Sequence, residues 1–279
     1  MQKGEGYIVV TGATGGIGRA ICRRLVSTGV SVVATCRDRE RGEVLADELR
    51  RSATGGAEVR CELLCLDAPA SICDFARRIG GLRISSLINN AGVMCRHYSL
   101  TAHGLEQTMA VNYFGTVLLT WLIAPCIEQG GSVVFTTSVT RRLHRLADSI
   151  LCPTEKDFSQ LGTYGRSKLA LTHYAMHLAG LWQGRLRVNC ADPGVVNSGM
   201  ITMHRWFDPL ANLLFRPFTS SPGRGAESAM QACLSPHTGM IFHHANCHPI
   251  ANELRPEAAH TRLVAQTDEW LRQYQVIHK

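Results

Sequence analysis

The sequence lacks the features that divide a chain into parts or direct it across a membrane. Its 279 residues contain no proline- or serine-rich linker, no internal repeat and no low-complexity tract. No segment offers the roughly 18 uninterrupted apolar residues of a membrane span, and residues 1–6 are too short and polar for a signal peptide. With 45% hydrophobic residues the chain can bury a substantial core. We therefore expect one soluble domain, 1–279, in the cytoplasm.

Two other classes of protein are disfavoured by what is missing. The 11 cysteines are an odd number in a chain without an export signal, which indicates reduced thiols and no disulfide framework. The net charge of +7 comes from scattered basic residues, without a nucleic-acid-binding motif or a pattern of stacking aromatics. We therefore expect no nucleic-acid partner.

A group of histidines with one cysteine near the C-terminus is the strongest candidate for a metal site. His243, His244, Cys247 and His248 are close in sequence, but their spacing matches no familiar zinc signature. We interpret them as residues of a surface loop and expect no bound metal, with metal binding as the open alternative.

What the sequence does contain begins with a glycine-rich turn. The apolar run 7–10 leads into T-G-A-T-G-G-I-G at 11–18, and an apolar series at helical spacing follows. A strand, a glycine turn and a helix in this order bind a dinucleotide, because the N–H groups of the helix N-terminus face the pyrophosphate. Gly12 would allow the tight turn, Gly16 the approach of the phosphates and Gly18 the close packing of the helix. The expected cofactor-binding residues of this motif are Gly12, Thr14, Gly15, Gly16, Ile17 and Gly18.

A tyrosine and a lysine supply the acid–base chemistry. Tyr164 and Lys168 are four positions apart, so they lie one turn apart on the same face of a predicted helix. The positive charge of a neighbouring lysine lowers the pKa of a phenol from about 10. A phenol tuned in this way donates a proton to a carbonyl, or accepts one from an alcohol, near neutral pH. The pair indicates an oxidoreductase.

Six motifs in a fixed order carry a resemblance to a known family. They are T-G-A-T-G-G-I-G (11–18), N-N-A-G (89–92), A-V-N-Y-F-G (110–115), T-T-S-V (136–139), Y-G-R-S-K (164–168) and D-P-G-V-V (192–196). With them the chain resembles the short-chain dehydrogenase/reductase family. It is most similar to the retinol dehydrogenase-like and carbonyl reductase enzymes, through T-C-R-D (35–38), L-I-N-N-A-G-V-M (87–94), V-N-C-A-D-P-G-V-V-N (188–197) and C-L-S-P (233–236).

Strand and helix patterns alternate along the whole chain. This alternation predicts an α/β fold: a single-domain Rossmann fold whose doubly wound parallel sheet has about seven strands and helices on both faces. Ligands should then lie beyond the carboxyl ends of the strands. The expected strands are 7–10, 30–35, 59–66, 84–88, 132–137, 186–190 and 239–242, and the expected helices include 41–51, 72–79, 105–127 and 165–181.

The resemblance implies a role for each residue of the site. Tyr164 would be the acid/base, with Lys168 tuning its pKa and binding the nicotinamide ribose. Ser138 would hydrogen-bond the substrate oxygen, and Asn112 would hold a water that links Lys168 to solvent. Hydride would pass between the nicotinamide and the carbonyl carbon. The other cofactor contacts that the resemblance implies are Asp67, at the adenine, followed by Asn89, Ala91, Gly92, Pro193, Gly194 and Val195.

The end of the second strand bears on the choice between NAD and NADP. Enzymes that prefer NAD place an acidic residue there to bind the ribose hydroxyls. This chain has Cys36 followed by Arg37, and a guanidinium pairs well with a 2′-phosphate. We therefore predict NADP(H) in preference to NAD(H). If the carboxylate of Asp38 faced the ribose, NAD would be preferred.

The segment 195–235 is expected to close over the substrate, as the resemblance implies. Met200 and Trp206 belong to an apolar series in this segment, which favours a hydrophobic carbonyl or alcohol as substrate. Met94 is a further candidate for the wall of the substrate pocket, with Tyr98. The same series is also typical of a buried helix, of a subunit interface or of contact with a membrane surface.

The loop between Ser138 and Tyr164 begins with a basic cluster, and the helix after it carries two histidines. We expect the arginines of the cluster, Arg141, Arg142 and Arg145, to be solvated, with guidance of an acidic substrate as the alternative. The helix with His173 and His177 is one through which family members pair, so the resemblance implies a homodimer or homotetramer.

A second class of function stays open beside the enzyme. The chain would then be an NADPH-binding redox sensor or scaffold with little turnover. Ser138, Tyr164 and Lys168 are all present, which argues against this alternative, because a sensor has no need of them.

Overall fold

The computed structural model of this protein describes residues 6–147, 149–194, 221–244, 246–254 and 258–276. Strands and helices alternate through these ranges, as the sequence predicts. The strands are β1 (Tyr7–Val10), β2 (Val32–Cys36), β3 (Val59–Leu63), β4 (Ile84–Asn89), β5 (Ile127–Thr136), β6 (Arg187–Ala191), β7 (Met240–His243) and β8 (Asn246–Pro249). The longer helices are α1 (Gly16–Ser27), α2 (Arg39–Ser52), α3 (Pro69–Ile79), α4 (Thr116–Ile123), α5 (Gln160–Leu181), α6 (Pro222–Leu234) and α7 (Ala258–Arg272).

One sheet contains all the strands of the described residues, in the order β3-β2-β1-β4-β5-β6-β7-β8. Every neighbouring pair from β3 to β7 is parallel, and β8 is antiparallel to β7. The strand order reverses between β1 and β4, so the crevice beyond their carboxyl ends is the expected ligand site of this Rossmann-like α/β fold.

Each face of the sheet buries its own apolar cluster. On one face Ile21 of α1, Leu45 of α2 and Ala229 of α6 lie in a common cluster. On the other face Phe75 of α3 and Leu118 of α4 belong to the second cluster. Burial of one large apolar side chain stabilises the fold by about 1.5–3 kcal/mol relative to its exposure. The strand ends that carry the candidate site are therefore held between two packed layers.

The sheet has eight strands in the described residues, one more than the sequence predicts. The additional strand, β8, comes from the segment that the histidine pattern led us to interpret as a surface loop. It pairs with β7 through His243 and Asn246 and through Phe242 and Cys247. As a mostly exposed edge strand it needs no apolar alternation, so its sequence carries no strand signal.

Three helices begin earlier than their apolar periodicity predicts, among them α3, which begins at Pro69. Helix α2 begins at Arg39, because the carboxylate of Asp38 caps it by accepting the N–H of Arg41 at 2.9 Å. Helix α5 begins at Gln160. Tyr164 and Lys168 therefore both lie inside a regular helix, which fixes their relative position.

Among the described residues, one helical stretch is long and apolar enough to cross a membrane by length and composition, Gln107–Cys126. It consists of a short turn at Gln107–Met109, a π-helical segment at Ala110–Gly115, α4 and a final 3₁₀ turn. Within its most apolar window, 78% of the residues are buried inside the fold. The stretch has the burial of a core helix.

The C-terminal helix α7 covers part of the outer face of α5. The Tyr113 hydroxyl lies 2.6 Å from Thr267 Oγ1, and the Tyr174 hydroxyl donates to Asp268 Oδ1 at 3.1 Å. His173 is buried, with its Nδ1 3.3 Å from Nδ1 of His260. The face that the sequence assigned to subunit pairing is thus occupied at His173 by α7 of the same chain.

Candidate active site

A threonine joins the glycine turn to the end of β4. Oγ1 of Thr11 accepts the backbone N–H groups of Asn90 and Ala91, both at 2.9 Å. The side-chain amide of Asn90 donates back to the Thr11 carbonyl at 2.9 Å. Neither Thr11 nor Asn90 was among the predicted site residues, although both belong to the motifs that carry the resemblance. This reciprocal bonding fixes the two sides of the crevice relative to each other.

The glycine turn is closely packed and leads into an uncapped helix. Gly12 has a φ of +64°, and a β-carbon at this position would lie 2.9 Å from Cα of Ala91. A β-carbon at Gly18 would lie 2.3 Å from the Gly12 carbonyl oxygen. Gly15 precedes α1 without a side-chain capping bond, and the first turn of α1 holds no acidic residue. The positive end of the helix dipole is therefore available to an anion, which fits a dinucleotide pyrophosphate.

The other predicted residues of the turn differ in exposure. Thr14 and Gly16 are half-buried, whereas Ile17 is buried in the core beneath the turn. A β-carbon at Gly16 would lie 3.4 Å from Pro222, an ordinary contact distance. A β-carbon at this position therefore meets no clash with the residues that the structure describes.

The residues at the expected adenine end lie beyond β2 and β3. Arg37 is exposed, and the Asp38 carboxylate is bonded to the N-terminus of α2. Asp67 Oδ2 accepts a hydrogen bond from Nε2 of Gln107 at 2.6 Å. Burial raises the pKa of the Cys95 thiol, and the charges of Arg37 and Asp67 act on it in opposite directions. Gln107 had no signal in the sequence.

Asn89, the last residue of β4, directs its side chain into the core. Its Nδ2 donates to Oγ1 of Thr120 in α4 at 3.0 Å, and Asn89 is only 3% exposed. Gly92 lies at the crevice, where a β-carbon would be 3.4 Å from both Asn112 Oδ1 and Lys168 Nζ. The side chain of Asn89 therefore connects sheet and helix, while the Gly92 backbone borders the polar group.

Asn112 lies in the π-helical segment and ties three elements together. Its Oδ1 accepts the N–H of Val93 at 2.8 Å, and its Nδ2 donates to the Val93 carbonyl at 2.9 Å and to Oγ of Ser167 at 3.0 Å. Single π-helical turns inside helices often mark functional sites. The predicted neighbourhood of Asn112 and Lys168 is present, with Gly92 between them.

Ser138, Tyr164 and Lys168 lie together beyond the end of β5. Lys168 Nζ donates to the Thr136 carbonyl at 2.8 Å and is 5.7 Å from the centre of the Tyr164 ring. Ser138 Oγ accepts from the Thr140 hydroxyl at 3.0 Å and is also hydrogen-bonded to the Tyr164 phenol. The structure thus brings Ser138 and Lys168 to the side chain of Tyr164.

The pKa values of Tyr164 and Lys168 differ from those that their spacing in the sequence predicts. Burial raises the pKa of Tyr164 to about 12, against the lowering effect of its bond to Ser138, and the carboxylate of Asp192 raises it further. Burial also lowers the pKa of Lys168 to about 8. Exclusion of water is therefore the main influence on the pKa of this phenol.

Gly165, one position after the tyrosine, allows a loop to approach α5. A β-carbon at Gly165 would lie 2.5 Å from the His144 ring and 3.0 Å from the Thr140 carbonyl oxygen. The loop that follows Ser138 therefore packs directly on the helix that carries Tyr164. This contact needs a residue without a side chain.

Arg141 is buried in an ion pair and is not solvated as predicted. Its side chain is 2% exposed and pairs with Asp192 and Glu253. Arg142 is more exposed but also pairs with Glu253. The prediction was wrong for Arg141 because a basic cluster in a sequence does not reveal distant acidic partners. Glu253 was not identified from the sequence at all.

The predicted substrate residues are only partly covered by the structure. Met94 is half-buried, and its carbonyl accepts from Nε2 of Gln160 at the start of α5. Val195, Met200 and Trp206 lie outside the described residues. Of the segment 195–235, the described part forms α6, which packs on α1.

The D-P-G motif at 192–194, after β6, and His243 at the end of β7 meet beside the candidate site. Gly194 has a φ of +71°, and its N–H donates to Asp192 Oδ1 at 3.0 Å; Pro193 lies between the two. His243 Nδ1 is 3.9 Å from the same carboxylate oxygen. Over the ranges that the structure describes, no group of three or more His, Cys, Asp or Glu side chains is arranged to hold a metal ion.

Comparisons with known proteins agree on one family. The short chain dehydrogenase family matches residues 6–206. Retinol dehydrogenase 12 of Homo sapiens is 35% identical over 246 residues, which cover 84% of this chain and 76% of that protein. Polyprenol dehydrogenase of Mus musculus is 34% identical over 245 residues, covering 82% and 71%. A short chain dehydrogenase of Shigella flexneri, solved as a complex with NADP, has the same fold, with a TM-score of 0.66, 23% identity and coverage of 85% and 95%.

Proposed function

We propose that this chain interconverts a hydrophobic carbonyl and its alcohol with NADP(H). The chain belongs to the short-chain dehydrogenase/reductase family and is an NAD(P)-dependent oxidoreductase. The observation that carries the proposal is the group of Ser138, Tyr164 and Lys168 beyond β5, on the same edge of the sheet as the glycine turn. A nucleotide cradle and a proton donor are thereby brought to one crevice.

In the proposed reaction the chain binds the substrate oxygen and moves its proton. The bound nicotinamide supplies or accepts the hydride. Ser138, whose oxygen already accepts from Thr140, orients the substrate oxygen by donating its own proton. Tyr164 delivers the proton to that oxygen during reduction. The phenol is protonated at neutral pH in the structure as described, as a proton donor must be.

Lys168 and Asn112 support the phenol in this proposal. The ammonium of Lys168 is held by the Thr136 carbonyl on one side of the Tyr164 ring. Its lowered pKa of about 8 allows Lys168 to exchange a proton near neutral pH. Asn112, next to Gly92, would hold the water that connects the lysine to solvent. Reprotonation of Tyr164 between turnovers then needs no opening of the site.

The preference for NADP(H) rests on Arg37. It is exposed beyond β2, while Asp38, the residue that would favour NAD, is engaged as the cap of α2. A guanidinium at this place would pair with a 2′-phosphate. The cofactor contacts proposed here are the glycine turn, Asp67, Ala91 and Gly92, with the stretch 193–195; Asn89 would contribute through its backbone.

The substrate class follows from apolar residues and from the names of the relatives. Retinol and polyprenol, in the names of two relatives, are hydrophobic alcohols. Met94 borders the start of α5, and Met200 and Trp206 belong to the apolar series of the proposed lid. We propose a hydrophobic aldehyde, ketone or alcohol as the substrate.

A cytoplasmic location and a homo-oligomer complete the proposal. All 11 cysteines are free thiols, which is typical of a reducing compartment. Family members commonly assemble, but a second copy would have to bind outside the part of α5 that α7 covers.

Binding and turnover together test the proposal. We expect NADPH to bind more tightly than NADH in a fluorescence titration, and Arg37→Asp to reduce or reverse this preference. Turnover of a panel of hydrophobic aldehydes and ketones should fall about 10²- to 10⁴-fold in Tyr164→Phe, with NADPH binding retained. Tyr7→Phe, at the other end of β1, is the matched control and should keep both.

Each other outcome has a distinct meaning. Tight NADPH binding without turnover on a broad panel would favour the redox sensor. Failure to bind either nucleotide would contradict the proposed function as a whole.

A further inference from the structure

One buried guanidinium joins three parts of the chain next to the candidate site. Nη1 of Arg141 donates to the Ser138 carbonyl at 2.8 Å and to Asp192 Oδ2 at 2.6 Å. Its Nε and Nη2 donate to Glu253 Oε2 at 3.0 and 2.8 Å. Arg141 therefore connects the backbone after β5, the end of β6 and the segment before α7. A side chain that is 2% exposed and makes these bonds has a single well-defined position.

The ion pair balances charge in a place from which water is excluded. Asp192 is 5% exposed at its side chain, and Arg141 is its close cationic partner. Its other oxygen accepts the Gly194 N–H at 3.0 Å and lies 3.9 Å from His243. Removing one partner of a buried pair leaves the other charge uncompensated. Loss of Arg141 would therefore expose the surroundings to the full charge of Asp192.

Those surroundings include the proposed acid/base. Asp192 follows β6, the neighbour of β5, and the Thr136 carbonyl at the end of β5 binds Lys168 at 2.8 Å. The Asp192 carboxylate is close enough to raise the pKa of both Tyr164 and Lys168. Arg141 does not touch the phenol itself. It acts on the reaction indirectly, through its bonds to Asp192 and to the backbone of Ser138.

We propose that Arg141 is a positioning residue of the reaction, which fixes Ser138 and neutralises Asp192 beside Tyr164, while Glu253 anchors it from the C-terminal segment. This inference rests on the proposed function. The role of Arg141 is specific among the arginines of the loop, because Arg142 bonds to Glu253 but to neither Ser138 nor Asp192 in the contacts described. Arg142 is therefore the matched control.

Other titratable and charged groups near Tyr164 and Asp192 could also affect the pH profile. Glu253 also binds His248 and Arg142, and its pKa is lowered to about 2 by these partners and Arg141, against the opposing effect of burial. It therefore stays ionised throughout the accessible pH range. Within the part of the chain that the structure describes, the other titratable groups near Tyr164 and Asp192 include Lys168, His144, Arg166, Cys190, His243 and His244.

The pH profile of kcat/KM for alcohol oxidation tests the inference. In the complex with oxidised cofactor, whose nicotinamide carries a positive charge that would lower the pKa of a nearby phenol, the ascending limb of this profile reports the deprotonation of Tyr164. In Arg141→Met we expect the limb to move to higher pH by about one unit, because an unpaired carboxylate disfavours the phenolate. The double variant Arg141→Met with Asp192→Asn should return the limb toward the wild-type position. Arg142→Met should move it less, because Arg142 acts on Asp192 only at a distance and is bonded to Glu253.

Two further variants keep the test decisive if Arg141→Met fails to fold. Arg141→Lys keeps a positive charge beside Asp192 but loses the paired bonds to Glu253, so it should lower Tm while holding the limb near its wild-type position. Asp192→Asn alone should move the limb to lower pH. A limb that stays in place in Asp192→Asn, or that moves equally in Arg141→Met and Arg142→Met, would overturn the inference.

Failure of the inference and failure of the proposed function are distinguishable. Wild-type turnover that is lost in Tyr164→Phe, with a limb unaffected by Arg141→Met, would overturn the inference alone. Absence of wild-type turnover would overturn the proposed function. In that case the pKa of residue 164 can be measured by ¹⁹F NMR titration of the protein with 3-fluorotyrosine in place of Tyr164. Equal titration curves with Arg141 and with Arg141→Met would overturn the inference as well.

Discussion

At the scale of single residues, Tyr164 and Lys168 show that burial, and not only their spacing, determines the pKa of each group. Their spacing brings them together, with Lys168 Nζ 5.7 Å from the phenol ring. Yet the ammonium is bonded to the Thr136 carbonyl, and burial raises the pKa of the phenol to about 12. The spacing reveals which residues are neighbours. How far water is excluded from them depends on the loop after Ser138 and on α5 packing together.

The first residue-scale prediction concerns this packing. Gly165→Ala should reduce the free energy of unfolding by about 1–3 kcal/mol, because its β-carbon would lie 2.5 Å from the His144 ring. Turnover should fall with it, since the displaced loop carries Ser138. Urea denaturation and steady-state kinetics measure the two effects.

The same helix provides the control for this substitution. A β-carbon at Gly180 meets no atom within 4 Å among the described contacts. Gly180→Ala should therefore stabilise the protein by up to about 1 kcal/mol through helix propensity and leave turnover unchanged. Similar losses of stability in both variants would contradict the role assigned to Gly165.

At the scale of elements, the contact between α5 and α7 is sensitive to acid. His173 in α5 and His260 in α7 place their Nδ1 atoms 3.3 Å apart, so both rings cannot be protonated at once without repulsion. Burial, with the charge of His260, lowers the pKa of His173 from 6.5 to about 4. The pKa values of His177 and His260 are lowered too, by burial first.

We therefore predict that acid weakens the folded state through this contact. Between pH 6.5 and about 4 the unfolded chain binds a proton at His173 that the folded chain does not bind. Stability is thus fully present above pH 6.5 and is lost progressively as the pH falls toward 4, by about 1–3 kcal/mol for this group. Denaturant titrations at pH 7 and pH 4.5 measure the loss.

A neutral replacement isolates the contribution of His173. His173→Gln should show a smaller loss of stability between pH 7 and pH 4.5 than the wild type, because glutamine takes up no proton. An identical loss in the two proteins would assign the acid sensitivity to other groups.

At the scale of the whole molecule, α7 determines which surface of α5 is open. Helix α7 also covers the neighbouring π-helical segment, where the ring centres of Phe114 and Trp270 lie 4.8 Å apart, and Leu271 is fully buried. Removal of the chain from residue 258 onward would expose the apolar surface that these residues cover. We predict self-association of the truncated protein, measured by size-exclusion chromatography with light scattering.

A milder variant separates a specific surface from general unfolding. Trp270→Ala should weaken the docking of α7 and lower Tm, with partial self-association at high protein concentration. A truncated protein that keeps the elution volume expected for its size and the wild-type Tm would contradict the covering role of α7.

Much of the fold and the trio of the candidate site followed from sequence, because their signals are local. The glycine turn, the four-residue spacing of Tyr164 and Lys168 and the alternation of strands and helices are patterns of near neighbours. Their order along the chain implied the family to which the protein belongs. Strand β8 was missed, since an exposed edge strand requires no apolar pattern.

The sequence by itself determined the motifs, their order and the class of chemistry. Only the tertiary structure decided that Asp38 caps a helix and that Arg141 is buried with Glu253, 112 positions away. It also decided that burial controls the pKa of Tyr164. The physical reason is common to these cases: charge pairing and exclusion of water depend on residues that are distant in the chain and meet only when the sheet and its helices have assembled.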